Sequence, residues 1–133
     1  MIKVLIIDDE PEITENFKEF LALRITQAEF HGALTVKEAS EKISQLSPDL
    51  LLVDLNLNDQ LTGLDVYKIA LSKNPAVKAI VITGNVEEKV REDCFAAGIQ
   101  KVLYKPISLA ALKEDVIGML SLITEAKSNH SSS

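Results

Sequence analysis

Lys3-Val4-Leu5-Ile6-Ile7 is an apolar run that stops abruptly at Asp8-Asp9-Glu10, and Pro11 follows at once. The run shows no alternation of apolar and polar residues, so it reads as a strand buried on both faces. Pro11 lacks a backbone N–H and suits the first turn of a helix, where that donor has no partner anyway. The unit is therefore strand, acidic turn, helix. Along the rest of the chain, short apolar runs at 29–33, 50–53, 79–82 and 101–104 alternate with longer amphipathic stretches. That alternation is the signature of a parallel sheet with helices on both faces. The run at 29–33 carries Glu29, His31 and Gly32, and reads as an edge strand.

Five helix-like stretches separate and follow these strands. Thr35 with Glu38, Thr62 with Asp65 and Asn85 with Glu88 each place a capping residue three positions before an acid, which marks a helix start. In the last stretch Leu109, Leu112, Val116, Met119, Leu120 and Ile123 fall on one face of a 3.6-residue period, the face that packs on the sheet. Residues 1–124 contain no repeat and no internal linker. The polar stretch within 125–133 lacks periodicity and is expected to be a disordered tail or the start of a linker.

The chain has 133 residues, 47% of them hydrophobic and 26% charged, enough for one domain with a real core and too apolar for a disordered chain. Its net charge of −6 argues against holding nucleic acid through phosphate contacts, which needs clustered Lys and Arg. No uncharged run approaches the roughly 20 residues that span a bilayer. Cys94 is the single cysteine, which excludes an intrachain disulfide. The expected setting is the cytoplasm. Cys94 follows Val90 by four residues and Val86 by eight, and reads as packing on an apolar stripe rather than as a redox sensor. His31 and His130 have no partners at metal-ligand spacing.

In an open parallel sheet the chemistry gathers beyond the carboxyl ends of the strands. Asp8, Asp9 and Glu10 come after the first strand, Asp54 after the third, Thr83 and Gly84 after the fourth, and Lys105-Pro106 after the fifth. Carboxylates pushed together repel, and a hard divalent cation held through oxygens resolves the repulsion, with Mg²⁺ the favoured ion. Singly, each residue also has a plain structural reading. Asp8-Asp9 can cap a helix, Asp54 can close a turn, Thr83 can end a strand and Lys105 can lie along the surface. Together they are the parts needed to take up a phosphoryl group.

Four motifs in order carry a resemblance to the receiver domain of two-component response regulators, the chemotaxis-regulator-like superfamily, over residues 1–124. They are Ile6-Ile7-Asp8-Asp9-Glu10-Pro11, Leu52-Val53-Asp54-Leu55-Asn56, Val81-Ile82-Thr83-Gly84 and Tyr104-Lys105-Pro106. The resemblance implies an α/β, flavodoxin-like fold: a five-stranded parallel sheet in the order 2-1-3-4-5, doubly wound with five helices. It implies that Asp54 accepts phosphate from a phosphohistidine of a sensor histidine kinase or histidine phosphotransfer protein. Asp8, Asp9, Asp54 and the backbone carbonyl of Asn56 would hold Mg²⁺, and Thr83 and Lys105 would contact the phosphoryl oxygens. It also implies a cis Lys105–Pro106 bond and a switch on the surface of the fourth helix, fifth strand and fifth helix. That surface would control an output domain or partner and offers a homodimer face. The domain would catalyse only its own phosphorylation and dephosphorylation, with no part for nucleic acid or membrane.

The chain departs from the family in two places. Val102 stands three residues before Lys105, where the family commonly has the aromatic switch, and Tyr104 is expected to pack in the core rather than replace it. The loop Leu55-Asn56-Leu57-Asn58-Asp59-Gln60-Leu61-Thr62-Gly63 is one residue longer than usual and lacks the usual proline. Asn56 and Asn85 are expected to flank the path of attacking water, and Gly84 to leave the site open. The docking surface for a kinase is expected around Ile13, Phe17, Phe20 and Leu21. A haloacid dehalogenase-like phosphohydrolase is the competing class, but it would place Asp-x-Asp after the first strand, where this chain has Asp8-Asp9-Glu10.

Overall fold

A computed structural model describes residues 1–131, with side chains described as far as 128. The chain runs β1 (Ile2–Ile7), α1 (Pro11–Arg24), β2 (Ala28–Ala33), α2 (Val36–Leu46), β3 (Leu50–Val53), α3 (Gly63–Lys73), β4 (Lys78–Thr83), α4 (Glu88–Ala97), β5 (Lys101–Tyr104) and α5 (Leu109–Ser131). The five strands form one parallel sheet in the order β2-β1-β3-β4-β5. All five strands stand where the apolar runs place them; three extend a residue or two further, so that Thr83 is the last residue of β4 rather than the first after it.

Successive strand residues point to opposite faces, and each face is covered separately. Val4, Ile6, Leu50, Leu52, Ile80 and Ile82 pack beneath Phe17 and Leu21 of α1 and Leu112, Val116 and Leu120 of α5. Leu5, Ile7, Leu51, Val53, Ala79 and Val81 meet Ala39 and Ile43 of α2, Val66 and Ala70 of α3, and Cys94 of α4. The expected apolar face of α5 is thus the buried one. Phe17 and Leu21 are core residues, so only the partly buried Ile13 and Phe20 remain at the surface expected to meet a kinase.

Two helix starts are as expected. Thr35 Oγ1 accepts the Glu38 N–H at 3.0 Å, and the Asp65 carboxylate accepts the Thr62 N–H at 2.8 Å. The third differs. Asn85 Oδ1 accepts the N–H of Glu87 at 3.0 Å, closing a turn two residues long, and α4 begins only at Glu88. The short turn competes with the cap for the same side-chain oxygen. Val86 therefore lies outside the helix and is 71% exposed. At the other end, α5 continues past 124 to Ser131, because residues 124–128 include no glycine or proline and Lys127 Nζ pairs with Asp49 Oδ1 at 3.0 Å. Of the tail expected at 125–133, residues 125–131 are thus helical, while residues 132–133, and the side chain of His130, lie outside the described residues. Among the described residues no helix is long and apolar enough to cross a membrane.

Cys94 is fully buried, and burial, reinforced by the charge of Asp93, raises its thiol pKa above the usual value. The thiolate is the reactive form, so the native protein at neutral pH is expected to resist iodoacetamide while the denatured chain is alkylated. Intact mass distinguishes the two; rapid labelling of the native form would contradict the packing role.

Candidate functional site

The strand order reverses direction of growth between β1 and β3, and the crevice beyond their carboxyl ends is where such sheets bind ligands. The sheet ladder extends one step past each strand end and so fixes the site backbone. The Asp8 N–H donates to Ala33 O at 3.2 Å, Asp54 N–H to Ile7 O at 3.0 Å, and Lys105 N–H to Thr83 O at 2.9 Å. Three residues far apart in sequence are thereby set by the same rigid frame that buries the core.

Asp8 and Asp54 are almost fully buried. Lys105 Nζ lies between them, 2.9 Å from Asp8 Oδ2 and 2.8 Å from Asp54 Oδ2. Burial works against the ammonium charge, but its hydrogen bonds to Asp54 and Asp8, with the negative charges of both carboxylates, outweigh it and raise the lysine pKa. Lys105 is therefore a fixed cation at neutral pH. The other oxygens are also held: Asp8 Oδ1 accepts the Glu10 N–H at 2.9 Å and Asp54 Oδ1 accepts the Asn56 N–H at 3.1 Å. Thr14 Oγ1 donates to the Asp8 carbonyl at 2.9 Å, tying α1 to the end of β1.

Asp8, Asp9 and Asp54 each offer a carboxylate oxygen, and these atoms lie within 4.8 Å of one another. One ammonium against three carboxylates leaves the cluster negative, and an all-oxygen donor set of this kind fits a hard divalent cation. The residues present thus fit Mg²⁺. Thr83 is buried at the end of β4, and its Oγ1 accepts the Asn85 N–H at 3.1 Å, which leaves its proton to donate. The structure brings Asp8, Asp54 and Lys105 into direct contact and adds Asp9 to their cluster. Thr83 stands on the next strand and hydrogen-bonds none of these carboxylates.

A cleft of about 450 Å³ opens beside the site, lined by Asn56, Leu57, Asp59, Thr83, Asn85 and Val90 among others. Asn56 and Asn85 do face one opening. A Cβ built on Gly84 meets nothing within 4 Å, so that side stays open. The Lys105–Pro106 peptide is cis, as expected. Val102 is partly buried against the α2–α4 face of the core. Tyr104 is half-buried and belongs to neither core cluster among the described residues, contrary to the expected packing role; it is the register partner of Thr83 at the open end of the sheet.

The family model of the response regulator receiver domain matches residues 4–117. The chain belongs to this family. It is similar to the transcriptional regulatory protein ComA of Bacillus subtilis (strain 168), 31% identical over 125 residues, covering 91% of this chain and 57% of ComA. It is similar also to the response regulator protein PilR of Pseudomonas aeruginosa, 32% identical over 120 residues, covering 90% of this chain and 26% of PilR. The receiver chain thus spans between about a quarter and just over half of these relatives. In fold it resembles the CheY-like receiver domain protein of Methanospirillum hungatei JF-1, with a TM-score of 0.83, 24% identity, and coverage of 95% of this chain and 98% of that one.

Two residues of the receiver site escape a reading by motif. Gly63, the first residue of α3, packs so close to β3 that a Cβ there would stand 2.2 Å from the Asp54 carbonyl oxygen. Asn58, in the loop between β3 and α3, adopts φ 51° and donates from Nδ2 to Asp9 Oδ2. A glycine opening a capped helix is a readable signal for the first; nothing local signals the second.

Proposed function

We propose that this receiver is the phosphoacceptor of a two-component relay, taking a phosphoryl group onto Asp54 from a phosphohistidine of a sensor kinase or histidine phosphotransfer protein. The observation that carries this reading is the buried Asp54 carboxylate, 2.8 Å from the Lys105 ammonium and clustered with Asp8 and Asp9. An Asp54 carboxylate oxygen bonds to phosphorus while the P–N bond to the donor imidazole breaks. The electron pair stays on that nitrogen, and the product is an acyl phosphate.

Asp8, Asp9 and Asp54, with the Asn56 carbonyl, would hold Mg²⁺, whose chemistry is to offset charge on the phosphoryl oxygens. Lys105 exchanges its contact with the Asp54 carboxylate for one with a phosphoryl oxygen, and the Thr83 O–H donates to another. Both groups must shift to do so. Thr83 leads into α4 and Lys105 leads from β5 toward α5, so the α4–β5–α5 surface is where the change emerges. That surface carries Phe95, 41% exposed with the Arg91 guanidinium 5.0 Å from its ring centre, and suits an output domain, a partner or a second copy. With Val102 at the usual aromatic position, the shift of Thr83 and Lys105 carries the signal without an inward-swinging ring. The receiver turns over no external metabolite.

The test is intact mass after incubation with acetyl phosphate, with Mg²⁺ or with EDTA. One phosphoryl group is expected with Mg²⁺ and none with EDTA. An equal yield in EDTA would exclude the metal role, and no adduct with Mg²⁺ would exclude the phosphoacceptor reading.

A further inference from the structure

Asn58 occupies a left-handed backbone conformation with φ 51°, a region that asparagine tolerates and proline cannot enter. Its backbone N–H donates to Asn56 Oδ1 at 3.1 Å, which pins the turn. Its side-chain Nδ2 donates across 49 residues of sequence to Asp9 Oδ2 at 2.5 Å. The left-handed turn and its hydrogen bond thus have one structural outcome: a donor aimed at Asp9. Among the three clustered carboxylates Asp9 is the least buried. Lys105 holds Asp8 and Asp54 but makes no bond to Asp9.

We propose that Asn58 is a positioning residue that orients the Asp9 carboxylate for the divalent cation, and so sets how tightly this receiver binds Mg²⁺. The inference rests on the phosphoacceptor reading of the site. A carboxylate that ligates a metal through one oxygen can still accept a hydrogen bond, and such partners fix its direction before the ion arrives. Because the turn already holds Asn58, little side-chain freedom is lost in keeping the bond. The Asp9–Asn58 bond also fastens the β3–α3 loop to the β1–α1 turn, bringing the Asn56 carbonyl region and Asp9 under one constraint.

Calorimetric titration with MgCl₂ of wild type, Asn58→Gly and Gln60→Gly tests this. Glycine keeps the left-handed backbone accessible and removes only the amide, while Gln60→Gly loosens the same loop and leaves the amide in place. Asn58→Gly is expected to weaken Mg²⁺ binding by about 10-fold, within the range seen when the partner of a metal ligand is lost. Gln60→Gly is expected to bind as wild type does. In acetyl phosphate assays the Asn58→Gly half-saturation for Mg²⁺ is expected to rise by the same factor, with the rate at saturating Mg²⁺ unchanged. Equal affinity in Asn58→Gly and wild type, or an equal loss in both glycine variants, overturns the positioning role and leaves the phosphoacceptor reading standing. A wild type that takes up no Mg²⁺ overturns both.

Discussion

Asp54→Ala is expected to abolish uptake of phosphate from acetyl phosphate, with no adduct in the intact mass under conditions that label the wild type. The loss is complete rather than partial because the substitution removes the attacking oxygen itself. Asp8 and Asp9 cannot replace it: Asp8 is anchored to the Glu10 N–H and Lys105, and Asp9 is held by Asn58. Stability should move the other way. Removing one of three clustered carboxylates relieves repulsion, and Lys105 retains Asp8 as its partner, so the half-buried cation is not orphaned. Thermal denaturation without Mg²⁺ is expected to show a midpoint equal to or above that of wild type. A labelled Asp54→Ala protein would place the acceptor elsewhere, and a sharply lower midpoint would make the loss one of folding.

Gly63→Ala is expected to damage both fold and function. The added Cβ would fall 2.2 Å from the Asp54 carbonyl oxygen and 2.9 Å from its carbon, so the clash is with backbone and no rotamer relieves it. Either α3 lifts from the sheet or Asp54 moves. Overpacking of this kind costs about 1–3 kcal/mol. A displacement of the acceptor by about 1 Å costs on the order of 10²-fold in rate. Gly118→Ala provides the contrast, since a Cβ there meets nothing within 4 Å and the residue lies inside α5. It should raise stability by about 0.5–1 kcal/mol through helix propensity and leave phosphorylation alone. Chemical denaturation and the acetyl phosphate rate check both variants; a Gly63→Ala protein indistinguishable from wild type would remove the close approach from the explanation of the site.

The contrast between these glycines shows what the sequence encodes openly. The strands are legible because a run such as Leu50-Leu51-Leu52-Val53 is buried on both faces and ends at a charge. Asp8, Asp54, Thr83 and Lys105 are legible because each stands at or one step past the end of such a run, where the ladder continues to hold the backbone. What escapes is whatever depends on contact between distant segments. Asn58 meets Asp9 only because two loops converge, and no periodicity or local motif records that. Gly63 is set by the proximity of α3 to β3. Phe17 and Leu21 look like surface anchors in a helix read alone, and become core once the sheet lies beneath α1. At Asn85 the local signal is real, but the side chain closes a turn to Glu87 instead of capping the helix. Polar composition past 124 suggests a tail, whereas the helix continues because nothing in that stretch breaks it.

Whether Asp54 is the residue that carries the phosphoryl group is decided by borohydride reduction of the acetyl phosphate-treated protein, which converts an acyl phosphate to an alcohol, followed by peptide mass spectrometry. The expected result is a single reduced site at Asp54, present with Mg²⁺ and absent with EDTA. Reduction at Asp8 or Asp9, or a stable phosphate at His31 with Asp54 unmodified, would contradict it.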